Sequence, residues 1–240
     1  MQNFRSELRL LTLALLAVLF VLSACRKDGE VVAELLTAAE AAEITESAVS
    51  ERTAGATLPT IDMTELLASI PQTCNTPGDT TIQKSNTFGA ASYSCTFNLS
   101  WLLHCSNAGV PQSADVDVSG NGTFSSAHWS GADQTTGELT ITGIAPSATD
   151  YVVSGSYNLN GNLTGNLRRT DPTLDVQTTV TLANLTVRKS DYQITDGDGT
   201  VSVTASNGQG QSQTLTGTLV FNGDGTVTVT VNGHTHTFPI

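Results

Sequence analysis

From about residue 80 to the carboxyl end, hydrophobic and polar positions alternate one by one. Leu139 and Ile141 share a phase, as do Tyr157 and Leu159. Val201, Val203 and Ala205 repeat the pattern, followed by Leu215, Leu219 and Phe221 and then Val227, Val229 and Val231. The positions between them are mostly Thr, Ser or Asn. A period of two with one apolar phase predicts antiparallel strands with one buried and one wet face. Val176, Val180 and Leu182 keep one phase, whereas Leu185 and Val187 keep the other, which predicts a bulge near Ala183-Asn184. Turn chemistry punctuates the runs at Asn160-Gly161, Asp196-Gly197-Asp198-Gly199, Asn222-Gly223-Asp224-Gly225 and Asn232-Gly233. Strand therefore follows strand through short links. The pattern predicts a mainly β fold, an antiparallel meander of about nine to eleven strands whose spatial order follows the chain. A sheet of that size folds over or curls, giving a β-sandwich or a curled half-barrel.

Upstream the period changes. Val31, Leu35, Ala38, Ala42 and Val49 roughly follow helical spacing among many alanines, which predicts a helix over 30–51. Its apolar face is mostly alanine, so it reads as a tether over 25–60 rather than as core. Ala54–Pro59 reads as a break. Asp62-Met63-Thr64-Glu65 has the form of a capping box and Pro71 the form of a stop, predicting a short helix over 62–70 at the start of a β domain spanning 61–240.

The amino terminus has a different character. Arg5 and Arg9 precede an apolar run from Leu10 to Leu22, and Leu22-Ser23-Ala24-Cys25 follows. Such a run suits the core of an export signal, about 7–15 residues, and is short of the about 20 needed to span a bilayer. Small side chains at Ser23 and Ala24 suit a signal peptidase, and the Cys25 thiol suits acylation. On these residues the start resembles that of bacterial lipoproteins. The resemblance implies a signal peptide over 1–24, a mature chain beginning at Cys25 with palmitate-type acyl chains, and attachment to the outer membrane. Arg26-Lys27-Asp28-Gly29-Glu30 resembles, loosely, the surface-export signal of Bacteroidota lipoproteins, so the exposed leaflet and the periplasmic one both stay open. In style, the placing of Trp101, the Asn/Gly turns and the Thr-rich carboxyl end is similar to uncharacterised Bacteroidota lipoproteins, a likeness that implies no activity.

With Cys25 set aside for lipid, Cys74, Cys95 and Cys105 remain. Two strands, Thr81–Phe88 and Ser92–His104, with a turn centred near residue 90, bring Cys74 beside Cys105 and leave Cys95 opposite Ser85. An extended strand separates Cys95 from Cys105. The hairpin thus predicts a Cys74–Cys105 disulfide with Cys95 buried beside Phe97 and Leu99; three reduced thiols are the alternative.

Charge narrows the partners. Ten Lys and Arg against 22 Asp and Glu give a formal net charge of −12, which removes nucleic acid as a partner and leaves the membrane as one reached through the lipid anchor. No nucleophile elbow, phosphate loop or dinucleotide fingerprint occurs. Asp196/Asp198 and Asp224 suggest calcium loops but lack the further acids such loops use. His234 and His236 have zinc-ligand spacing without a third ligand. Asp115 and Asp117 share a strand face, yet Val116 and Val118 mark the opposite face as the buried one. His104 and His128 stand apart. These features predict no enzyme, no cofactor and no metal. The expected function is a lipid-anchored envelope protein acting as a binding or structural module; a carrier of apolar ligands in a curled sheet is the alternative.

Overall fold

The computed structural model of the chain describes residues 34–70, 73–165 and 173–240. Cys25, the leader expected over 1–24 and Pro71 lie outside them. The residues from Leu35 to Ile240 form one compact unit.

Ten strands make a single antiparallel sheet in chain order. They are β1 (Pro77–Phe88), β2 (Ala91–Cys105), β3 (Pro111–Ser125), β4 (Trp129–Thr142) and β5 (Asp150–Gly165), then β6 (Thr173–Arg188), β7 (Ile194–Ser206), β8 (Ser212–Phe221), β9 (Thr226–Val231) and β10 (His234–Pro239). The sheet does not close, so β1 and β10 are its edges. The half-barrel, not the sandwich, is the form the meander takes. The alternating apolar phase is buried as the pattern requires: Leu139, Ile141, Tyr157, Val201, Val203, Phe221, Val227 and Val229 all face the interior. The register slips between Ala183 and Thr186, and Asn184 takes a left-handed conformation (φ 54°), so the bulge falls where the phase change placed it.

Two expected turns are not turns. Asn160-Gly161 lies inside β5 and Asp196-Gly197-Asp198-Gly199 inside β7. A side chain at Gly161 would sit 2.2 Å from the Ala132 carbonyl oxygen on β4. Gly197 has φ 142° opposite the bulged segment of β6. Glycine serves close strand approach at one position and bulge geometry at the other. The turns at Asn222–Gly225 and Asn232-Gly233 form as expected.

The amino-terminal segment departs furthest from expectation. Helix α1 (Ala38–Val49) forms within 30–51, but it is not a tether. Ala41, Ala42, Ile44, Thr45, Ala48 and Val49 are all buried. Its apolar face packs on the sheet, while Glu43 and Glu46 lie on a half-buried stripe. Small side chains let it fit inside the curl of the sheet. The capping box sits here, not at Asp62: the Thr37 hydroxyl accepts from the Glu40 amide at 3.2 Å, and the Glu40 carboxylate accepts from the Thr37 amide at 2.7 Å. Buried hydroxyls are spent locally, Thr45 on the Ala41 carbonyl and Thr57 on that of Val49. A 3₁₀ turn (Glu51–Thr53) and left-handed Ala54 lead into helix α2 (Thr57–Ser69), which starts five residues before the expected 62. Pro59 falls in its first turn, where proline is tolerated. Asp62 is therefore in mid-helix. Its carboxylate accepts from the Lys84 ammonium on β1 instead of capping.

Helices and sheet are also joined by a buried hydroxyl pair. Thr60 Oγ1 donates to the Ala56 carbonyl at 2.7 Å, so the Tyr157 hydroxyl, 2.8 Å away, donates to Thr60. Tyr157→Phe should lower unfolding free energy by about 1 kcal/mol in urea denaturation; no change would show the pair to be energetically idle.

Candidate functional site

The first hairpin pairs Phe88 with Ala91 and Pro77 with Leu102. Carried three residues beyond the Pro77–Leu102 pair, that register sets Cys74 beside Cys105, and the two form a disulfide. Among the described residues Cys95 is the free cysteine, and it is buried; burial pushes its thiol up to about 11, which keeps it an inert thiol. It pairs with Lys84, one residue from the expected Ser85.

The histidines separate. His104 Nε2 lies 2.8 Å from Asp115 Oδ2, with Thr140 donating to the other oxygen at 3.2 Å, all on the solvent face. Asp115 and Asp117 face water, as the buried Val116 and Val118 require. His234 is exposed beside the β9–β10 turn. Asp196 and Asp198 are exposed on the outer face of β7, and Asp224 accepts from the amide and hydroxyl of Thr226 within its own turn. Among the described residues, no three His, Cys, Asp or Glu side chains gather as metal ligands would.

His128 and His236 do converge. The sheet is open between β10 and β1, and the helical segment fills that seam. Ser50 Oγ donates to the Pro239 carbonyl of β10 at 3.0 Å. On the other side the Arg52 guanidinium lies over the Phe88 ring of β1, 5.7 Å from its centroid. Between these points Glu46 takes His236 Nε2 at 2.7 Å, and Glu43, one turn away, takes His128 Nδ1 at 3.1 Å. A cleft of about 280 Å³ opens there, lined by Glu43, Glu46, Arg52, His128, Trp129 and His236. Two polar atoms of its lining residues are buried without a partner, Glu43 Oε2 and Trp129 Nε1. Such orphans are rare in folded proteins and call for an explanation.

A second polar group lies deeper. Asp133 on β4 has Gly122 and Gly161 as its cross-strand neighbours. It faces Ile44, Ser47 and Ala48 of α1 across a cavity of about 20 Å³. Burial, with no cationic side chain bonded to it, pushes its carboxyl up to about 6. On α2, Asp62 is also raised by burial, with Lys84 opposing.

Glu43, Glu46, Arg52 and Asp133 were not marked by sequence motifs. For Asp133 a signal existed. Extending the buried phase of Leu139 and Ile141 backwards through Gly137 and Thr135 places an acid on the inner face. For Glu43 and Glu46 the signal was weak, because their partners lie on a distant loop and on the last strand. Comparison with known proteins brings in no relative: no family model, no curated protein and no solved structure matches the chain.

Proposed function

We propose that the chain is a lipid-anchored protein of the cell envelope, held in the outer membrane by acyl chains on Cys25, with its β unit serving as a non-enzymatic binding or structural module. The observation that carries this reading is the Cys74–Cys105 disulfide, because such bonds persist in oxidising compartments and are rare where thiols are kept reduced. It agrees with an export leader over 1–24, just before Cys25, and with a formal net charge of −12, which disfavours polyanionic partners. The carrier alternative needs a hollow between helices and sheet. The apolar space beneath α1, beside Asp133, is about 20 Å³, room for one water, and the larger cleft at the seam is lined largely by charged and polar side chains, so the carrier reading lacks support.

Cys25→Ala tests the anchor. Metabolic labelling with palmitate should be lost and the protein should leave the membrane fraction; labelling that persists in the variant would overturn the lipid attachment.

A further inference from the structure

We propose that Asn232, in the turn between β9 and β10, is the site at which the folded chain undergoes spontaneous deamidation to aspartate and isoaspartate.

The chemistry belongs to Asn-Gly sequences. The glycine backbone nitrogen attacks the asparagine Cγ. The N–Cγ bond forms, the Cγ–Nδ2 bond breaks, and ammonia leaves with the proton given up by the backbone nitrogen. Water then opens the cyclic imide at either carbonyl. One opening restores a normal backbone with an aspartate side chain; the other routes the backbone through Cβ, as isoaspartate. Water is the co-reactant, and no oxidation state changes. The reaction needs a glycine N–H outside any ladder and an asparagine side chain free to turn onto it.

Asn-Gly occurs at 121, 160, 207, 222 and 232. The fold withholds the first four. Asn121-Gly122 lies in β3 and Asn160-Gly161 in β5, each with a strand on either side. Gly122 pairs with Cys95 and Asp133, and Gly161 with Asp133 and Val176, so their amides belong to ladders. Asn207 Oδ1 accepts from the Gln209 and Gln211 amides at 3.0 and 3.1 Å, while its Nδ2 donates to Gln211 Oε1 at 2.8 Å. Asn222 Nδ2 donates to the Thr226 and Thr228 hydroxyls at 2.9 and 3.0 Å. Asn232 is exposed, and among the described residues no hydrogen bond holds its side chain. Its turn has two residues, closed by the Val231–His234 pair, with φ 46° at Asn232 and 81° at Gly233. A primed turn of this kind leaves the amide of its second residue outside the ladder. No atom lies within 4 Å of where a Cβ on Gly233 would stand, so the ring has room to form.

The position matters for the rest of the fold. Isoaspartate adds a main-chain atom to a turn whose length sets the β9–β10 register. Strand β10 is an edge of six residues. It carries Phe238 into the core, pairs His236 with Glu46 of α1, and takes the Ser50 hydroxyl on its Pro239 carbonyl. Deamidation at 232 therefore loosens the strand that holds α1.

Ageing of the full chain in mildly alkaline buffer, followed by peptide mapping that separates aspartate from isoaspartate, tests the site. Asn232 should convert first, roughly tenfold or more ahead of the other four positions, because each of those must first break hydrogen bonds. In urea, where no ladder or side-chain bond protects any of them, that preference should vanish. Asn232→Asp should remove most of the ammonia released by the folded chain. Hydrogen exchange of the aged protein should quicken in β10 and α1 relative to fresh protein. Conversion at 121, 160, 207 or 222 that keeps pace with 232 in the folded chain overturns the site. So does an intact Asn232 under conditions where the urea-unfolded chain reacts, or a preference for 232 that persists unchanged in urea. Unchanged exchange in β10 after conversion overturns the loosening.

Discussion

Removing the disulfide by Cys74→Ala or Cys105→Ala should lower the unfolding free energy by about 3–4 kcal/mol, the chain-entropy value for a closed loop of this length, with a sequence separation of 31. The loss should concentrate at β1. That strand is an edge with a single sheet neighbour, β2, and most of its side chains are exposed or half-buried. Beyond the ladder, its holds are the disulfide just before its start, the Lys84–Asp62 pair in its middle and the Arg52 guanidinium over Phe88 at its end. Urea denaturation with and without reductant measures the effect. Reduced wild type should match the Cys74→Ala/Cys105→Ala double variant. A difference below about 1 kcal/mol would contradict the entropic account, as would further loss when reductant is added to that variant. Because burial holds the Cys95 thiol up near 11, reoxidation should restore Cys74–Cys105 without mixed bonds to Cys95.

Asp133→Asn should act in the opposite direction and raise stability near neutral pH by about 2–3 kcal/mol. The folded state holds the carboxyl up near 6, above the ordinary 3.8, so it binds the proton more tightly than the unfolded chain does. Ionised Asp133 therefore costs stability above pH 6. The cost is relieved as pH falls through 6 and is gone below about 4. The difference between Asp133→Asn and wild type should shrink to near zero over that window, or reverse, since the amide still needs partners under α1. Exposed acids such as Asp191 and Asp224, both held low by hydrogen bonds, are common to both proteins and cancel in the difference. A pH-independent difference would mean that Asp133 is solvated and not confined beneath the helix.

The strands were legible because each buries one phase against one core, so Val201-Val203-Ala205 and Val227-Val229-Val231 announce themselves. The bulge at Asn184 was legible for the same reason, since a phase change has no other local cause. The Cys74–Cys105 pair followed from hairpin register alone. Glycine misled in two places. At Gly161 and Gly197 it marks neighbouring backbone on β4 and β6, which are 29 and 12 residues away by the Ala132 and Leu185 contacts. Turn chemistry and close approach leave the same letters in the sequence. Alanine misled more seriously. A helix rich in Ala41, Ala42 and Ala48 has little apolar area per turn and reads as a spacer. Packed closely against a curved sheet, it needs small side chains, and that requirement exists only once the sheet is known. The seam cleft shares this limit: Glu46 meets His236 across a sequence separation of 190.

That long separation has a consequence for how the molecule comes into being. Each strand finds its partner in the next stretch of chain, so hairpins can be added one after another as the polypeptide lengthens. Helix α1 is under the opposite constraint: it emerges among the earliest segments, yet the surfaces that enclose it, Gln213 near Leu36 and β10 near Ser50, arrive last. Helix α1 must wait, uncovered, for the end of the chain, and a protein truncated before β9 would leave that alanine surface without the strands that cover it.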